Sequence, residues 1–467
     1  MSALNRAQVG RLVAGAVVIA ATIVGVGALV AVDLPGHTRD TISLEAQPPA
    51  SASTAVCTGP LLAIGRDSTQ AALLTDAGAQ TVTAAAEDAA SVEAATLAAV
   101  SVSGGAGPAV LTAAPDGGEP TDLAAAGSSR IDAPDLSGFA AAPCTRPAME
   151  SWLVGGAATT GAADLVILAN PGDVPASVDL VVYGATGRTT PAAGADLVVA
   201  AGSQRVVPLA ALALGEESPV VQVTATQAPV QASLQASITR VLVPGGVDQI
   251  AAGSAPTAQL TIPGVPIALA PADPGASDVP ATLRLLAPTA DGSATVTVIG
   301  PSGVASEPQV VPLVAGVPLQ LDLDGLSVGT YTVSVSATTP ITGAVWSTTG
   351  FGAGSDFGWF GAADALTSGT LVAVADGSSP TLTLASDGAA AESVTVTSGA
   401  GAGEAREVSV AAGGTAEVEV QPGELYLIEP GPSGIHAAIS YAAAGGLAGY
   451  PVQAGDAAAA AITVYPR

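Results

Sequence analysis

"ADLVILANPGDVPASVDLVVYGATG", residues 163–187, decides the fold, because its pattern returns twice further along the chain. Residues 281–303 read "ATLRLLAPTADGSATVTVIGPSG" and residues 380–401 read "PTLTLASDGAAAESVTVTSGAG". Each copy is an apolar strand, a turn of Gly, Pro or Asp, and a strand alternating as V-x-V or V-x-L-x-V, the signature of a hairpin. A second set follows in the same order: "ADLVVAAGSQRVVPL" at 195–209, "PQVVPLVAGVPLQLDL" at 308–323 and "REVSVAAGGTAEVEV" at 406–420, each with Ala-Gly between two apolar alternations. A third set, at 220–237, 330–347 and 425–441, completes each copy. Six or seven short strands in about 100 residues is the pattern of a β-sandwich. A β-propeller is the rival architecture, but the repeat is twice the length of a blade of about 40–45 residues.

The sequence therefore predicts an all-β protein of tandem sandwiches, with repeats at 151–263, 264–375 and 376–467. "LSVGTYTVSVSA", from Leu326, resembles the Gly-x-Tyr strand of bacterial immunoglobulin-like domains, with Tyr331 as the corner tyrosine. That resemblance implies a fold and no activity. Residues 57–150 form an N-terminal unit whose fold stays open; its Ala-rich stretch at 76–102 suggests a short helix.

Residues 12–32, "LVAGAVVIAATIVGVGALVAV", carry no charge and are long enough to cross a hydrocarbon core about 30 Å thick. Arg6 and Arg11 precede this transmembrane segment and Asp33, Asp40 and Glu45 follow it, so residues 1–11 are expected in the cytoplasm and the bulk outside a plasma membrane crossed once. A cleaved signal peptide, which would leave a secreted protein, is the alternative; its apolar region normally runs only about 7–15 residues. Residues 33–56, rich in Pro, Ser, Thr and Ala, read as a tether. Cys57 and Cys144 are the two cysteines of a chain placed outside the cell, and they are expected to form a disulfide.

Across 467 residues, 39 acids face 12 bases, all of them Arg, for a net charge of −27. Nucleic-acid binding needs a basic stripe, which is missing. The acidity keeps an aromatic-poor surface soluble through self-repulsion, or attracts cations or a basic partner.

Taken together, the anchor, "CTGPLL" from Cys57, "SWLVGGAATTGAADLVILANPGDVPASVDLVVYG" from Ser151 and "SDFGWF" from Ser355 resemble an actinobacterial family of membrane-anchored exported proteins catalogued as a domain of unknown function. The resemblance implies cell-envelope biology, since members look to be encoded near envelope glycosyltransferases, and no activity.

Catalytic readings find few side chains. The histidines are His37, in the tether, and His436, which the repeat alignment puts at an outward, solvent-facing strand position. Ser433 lies in a Pro-Gly turn without a nucleophile motif. A glycosidase needs paired carboxylates, and Asp356 has only Asp364 near it in sequence. Asp322 and Asp324 in "LDLDGL" lack the later ligands of a calcium loop and read as a turn. No cofactor or metal is expected.

One stretch stands apart: "WSTTGFGAGSDFGWFG", residues 346–361, gathers two of the three Trp and three of the four Phe. Alternation puts Val345 toward its own sandwich core and Trp346 away from it, in the place of Gln235. Phe351, Phe357, Trp359 and Phe360 then lie in a Gly-rich connection. These five aromatics either pack the seam between the 264–375 and 376–467 repeats or form an exposed platform for a glycan or protein partner. Trp152 reads as a packing residue. The expectation is a non-catalytic membrane-anchored component of the envelope, with glycan recognition as the alternative and an envelope hydrolase behind both.

Overall fold

The computed structural model describes residues 6–31, 44–46, 50–66, 69–70, 72–116, 119–270, 278–455 and 462–464. They fall into two compact units, one of Met1–Pro48 with Ala459–Arg467, the other of Pro49–Ala458. The smaller unit holds α1, Arg6–Ala31, and an antiparallel pair of Leu44–Ala46 with Ile462–Val464. Within α1, Val9–Gly27 is long and apolar enough to cross a membrane, as a signal anchor or a signal peptide does. Most of the expected tether lies outside the described residues, but its end, Ser53–Val56, is a strand.

The larger unit is built from one topology used four times. Numbered along the chain, the copies are I at 53–143, II at 150–251, III at 257–361 and IV at 370–451; in repeat II, one sheet sets Glu150–Val154 beside Val220–Thr226 and that beside Ala176–Gly184. The facing sheet runs Val243–Ala251, Gln231–Arg240, Leu165–Asn170, Ser203–Pro208. Alternation on the two inner faces fills the core with Val166, Leu168, Val178, Leu180, Val221 and Leu234. Repeats III and IV follow the same order, from Thr257–Ile267 and Thr370–Ala373 respectively. Their opening strands lie several residues before the sequence-drawn boundaries, because each pairs forward into the next sandwich. Tyr331 is a corner residue in repeat III: its hydroxyl donates to the Ser327 carbonyl at 2.9 Å.

Residues 53–143 are a fourth, reduced copy. Ser53–Val56, Ala109–Ala113 and Val92–Thr96 make one sheet; Ser137–Pro143, Leu123–Asp132 and Thr81–Ala86 make the other. The expected helix at 76–102 is strand instead, interrupted by a single turn of 3₁₀-helix at Glu87–Ala89. Alanine's helix propensity yields here to pairing, with Ala84 opposite Ala125 and Ala86 opposite Leu123. The Cys57–Cys144 disulfide joins the beginning and end of this repeat.

Every repeat ends in a closing strand: β1 (Ser137–Pro143), β2 (Val243–Ala251), β3 (Phe357–Gly361) and β4 (Gly446–Pro451). The four meet in the middle of the unit, β1 against β2 and β4, and β3 against β2 and β4. The outward face of each second sheet rests on the preceding repeat, and the series closes where repeat IV meets repeat I. Gln235 of repeat II bonds both backbone groups of Leu62 in repeat I. At the closing junction Phe139 stacks edge-on to Tyr441 at 5.3 Å, and Asp122 accepts the Leu371 N–H at 3.1 Å. A small cavity at that junction is lined by Thr54, Cys144 and Ala454.

Asp356, fully buried, sits at the hub. Its Oδ1 accepts the Val247 N–H of β2 at 3.1 Å, and its Oδ2 accepts Phe139 N–H of β1 at 2.9 Å and Leu447 N–H of β4 at 3.1 Å. One carboxylate from the approach to β3 thus ties the other three repeats. The backbones come so close that a Cβ at Gly138 would stand 2.5 Å from Asp356 Oδ1, and one at Gly246 2.6 Å from the Phe357 ring; with φ of 151° and 123° both positions need glycine.

Candidate functional site

Strand Gly329–Thr348 of repeat III bends from one sheet to the other, and its second half pairs with Ala281–Leu286 and with β3. Along it Val345 enters the core of repeat III while Trp346 packs on the core of repeat II. The opposing strand alternates likewise: Leu283 and Leu285 go inward, leaving Thr282 and Arg284 on the outward face with Trp346. In β3, Phe357 and Trp359 share the face toward repeat II, and Phe360 turns to the repeat III core beside Leu447.

The aromatic stretch therefore fills the seam between repeats II and III, one seam earlier than the sequence suggests; Phe360 also reaches repeat IV, against Gly449. An exposed platform of five rings is not what the fold builds. Phe357, Trp359 and Phe360 are 0%, 6% and 2% exposed, while Trp346 and Phe351 are half-buried, their ring centres 6.4 Å apart. The second half of the Gly-rich connection, Phe357–Gly361, proves to be a closing strand, while residues 352–354 form an exposed turn.

These rings instead wall a cavity of about 190 Å³. Trp346, Phe357 and Trp359 line it together with Asp164 and Glu217 of repeat II and Thr282, Arg284 and Gln320 of repeat III. Arg284 is 2% exposed. Its terminal nitrogens donate to the carbonyls of Gly156 and Pro219 at 2.9 Å and Glu217 at 3.2 Å, its Cζ lies 4.6 Å from the Trp359 ring centre, and its Nε has no partner among the described residues. Burial draws the guanidinium down to about 9, opposed by Asp164 and Glu216. Asp164 accepts N–H groups from Ala157 at 2.7 Å and Ser237 at 2.8 Å, yet burial pushes its carboxyl up to about 7.

Sequence reasoning passed over Arg284. Its signal is the charge inside "LRLL", at a position where pairing places Ile167 in repeat II and Thr383 in repeat IV. Asp164 left no comparable mark.

The remaining candidates have structural surroundings. The acid beside Asp356 is Asp248, also fully buried, whose Oδ2 accepts the Trp359 N–H at 2.7 Å; burial and the neighbouring Asp356 hold its carboxyl well above the usual range. Asp364 accepts a hydrogen bond from Ser254. His436 is not solvent-facing: the third and fourth repeats close over it, leaving it 9% exposed with Nδ1 at 2.8 Å from the Ala363 carbonyl and Nε2 at 3.6 Å from Asp387. Its strand position does point away from its own core, but that side of each sandwich is covered by a neighbour. Trp152 packs in the repeat II core at 5.6 Å from Tyr183.

The model of a family described only as one of unknown function, DUF5719, matches residues 98–421. No curated protein matches. Among solved structures, the full-length major pilin RrgB from Streptococcus pneumoniae aligns at 11% identity over 65% of this chain and 62% of the pilin, with a TM-score of 0.13. The chain thus spans less than two thirds of the pilin's length, and at that TM-score the likeness carries no argument.

Proposed function

We propose a role for a chain that belongs to the DUF5719 family of unknown function: a non-catalytic extracellular component of the cell envelope, held at the plasma membrane by α1 with its N-terminus in the cytoplasm. The observation that carries this reading is the hub, where Asp356 spends its carboxylate on backbone N–H groups of three repeats. Buried acids elsewhere are the raw material of catalysis. Here both hub carboxylates accept only backbone N–H groups among the described residues, which suits a rigid body that presents surfaces to an envelope protein or glycan.

Two measurements on cells making the full chain test it. A protease added outside intact cells should destroy an epitope at the C-terminus and spare one at the N-terminus; protection of the C-terminal epitope would sink the placement. Loss of the chain should weaken resistance to osmotic shock or detergent, and Asp356→Ala should reproduce that loss. A Trp346→Ala chain that fails equally would point instead to the cavity as the working part.

The second reading, recognition of an envelope glycan, is favoured by that cavity, which combines aromatic walls with acidic, basic and amide side chains.

A further inference from the structure

We propose that the cavity between repeats II and III is a monosaccharide subsite, taking one pyranose ring from the end or a side branch of a glycan. The inference rests on the glycan reading and makes it specific. Size sets the first limit. At about 190 Å³ the cavity exceeds the roughly 150 Å³ that holds benzene. It falls short of the roughly 300–1,000 Å³ of pockets for drug-sized ligands. One six-membered ring fits; a disaccharide does not.

Chemistry sets the second. Trp346 and the accessible edge of Trp359, backed by the buried Phe357, offer ring surface to the C–H faces of a sugar, while Asp164, Glu217, Thr282, Arg284 and Gln320 supply acceptors and donors around it. An apolar guest would strip water from the polar lining of Asp164, Thr282 and Gln320 without replacing it, whereas sugar hydroxyls supply donors and acceptors to those side chains. Trp346 is half-buried, Glu217 and Gln320 are exposed, and Arg240 stacks on Phe351 with its Cζ 5.3 Å from the ring centre. Entry from solvent is therefore between Trp346, Glu217 and Gln320.

The test is tryptophan fluorescence of the full chain in detergent, titrated with the methyl glycosides of glucose, galactose, mannose, rhamnose, arabinose and N-acetylglucosamine, with toluene, and with soluble polysaccharide from the producing cell's envelope. At least one glycoside should give a saturable change, and Trp346→Ala and Gln320→Ala, each with an unchanged circular dichroism spectrum, should weaken it tenfold or more. Polysaccharide binding that both variants retain, with no glycoside bound, would overturn the subsite and leave the glycan reading standing. Failure of glycosides and polysaccharide alike would remove both. Toluene binding alone would make the cavity an apolar one.

Discussion

Asp356 stands in "SDFGWF" as one acid among 39, and nothing in its neighbours marks it. Its importance comes from where its oxygens end. Asp356→Ala would leave three N–H groups from three strands buried without acceptors, each worth about 1–3 kcal/mol. The expected loss in a denaturant titration of the full chain is therefore about 3 kcal/mol or more. Asn in that place keeps one carbonyl oxygen and should cost about half as much, its amide meeting the Val247 N–H donor to donor. Equal losses for the two variants would show that the acceptors are not what matters. Burial pushes the Asp356 and Asp164 carboxyls up to about 7 and raises Asp248 as well. A carboxyl raised in the folded state binds its proton more tightly there than in the unfolded chain. The stability it lends is complete below the ordinary carboxylate range and is lost as pH climbs through about 7. The thermal midpoint should accordingly be higher at pH 5 than at pH 8; a flat or opposite trend would contradict the burial of these groups.

At the scale of elements, the hairpins were legible and the closing strands were not. Strands such as Leu165–Asn170 and Ala176–Gly184 sit between turns of Gly, Pro and Asp and keep an inner apolar face, so their sequence advertises them. β1 to β4 read "SGFAAAP", "VPGGVDQIA", "FGWFG" and "GLAGYP". Packed against neighbours on both sides, they need small residues more than alternation, and they resemble loops. The reduced first repeat hid for a related reason, since its inserted strands Leu61–Ile64 and Leu74–Gly78 break the spacing that made the other three comparable. The cavity was half legible: its rings by their clustering, its polar side chains hardly at all. One hairpin carries visible strain. Val241 and Leu242 make the two-residue turn into β2, and Val241 takes φ of 61° while 96% exposed. Positive φ at the first turn residue is a position for glycine, and a β-branched side chain there is out of place. Val241→Gly should stabilise the chain by about 1 kcal/mol in the same titration. Destabilisation would mean that the exposed valine has a contact worth keeping.

The β-rich unit as a whole differs from a string of domains in having no free face at either end of the series. Open repeat arrays need capping units and lose cooperativity as they lengthen. Here every repeat has two neighbours, and Phe139 of the first lies in the core of the last. Unfolding of the β-rich unit should therefore follow one transition, coincident by fluorescence and circular dichroism; separate transitions would indicate repeats that fold alone. Reduction of Cys57–Cys144 should lower the midpoint of that single transition, because the bridge secures the repeat at which the circle closes. Thr54 and Ala454, near the entry and exit of the chain, line the same small cavity. The circle thus has no privileged starting point. A gene that joined the two ends by a short linker and opened the polypeptide between repeats II and III would encode a circular permutant with every interface intact, in which the order of synthesis changes and the architecture does not.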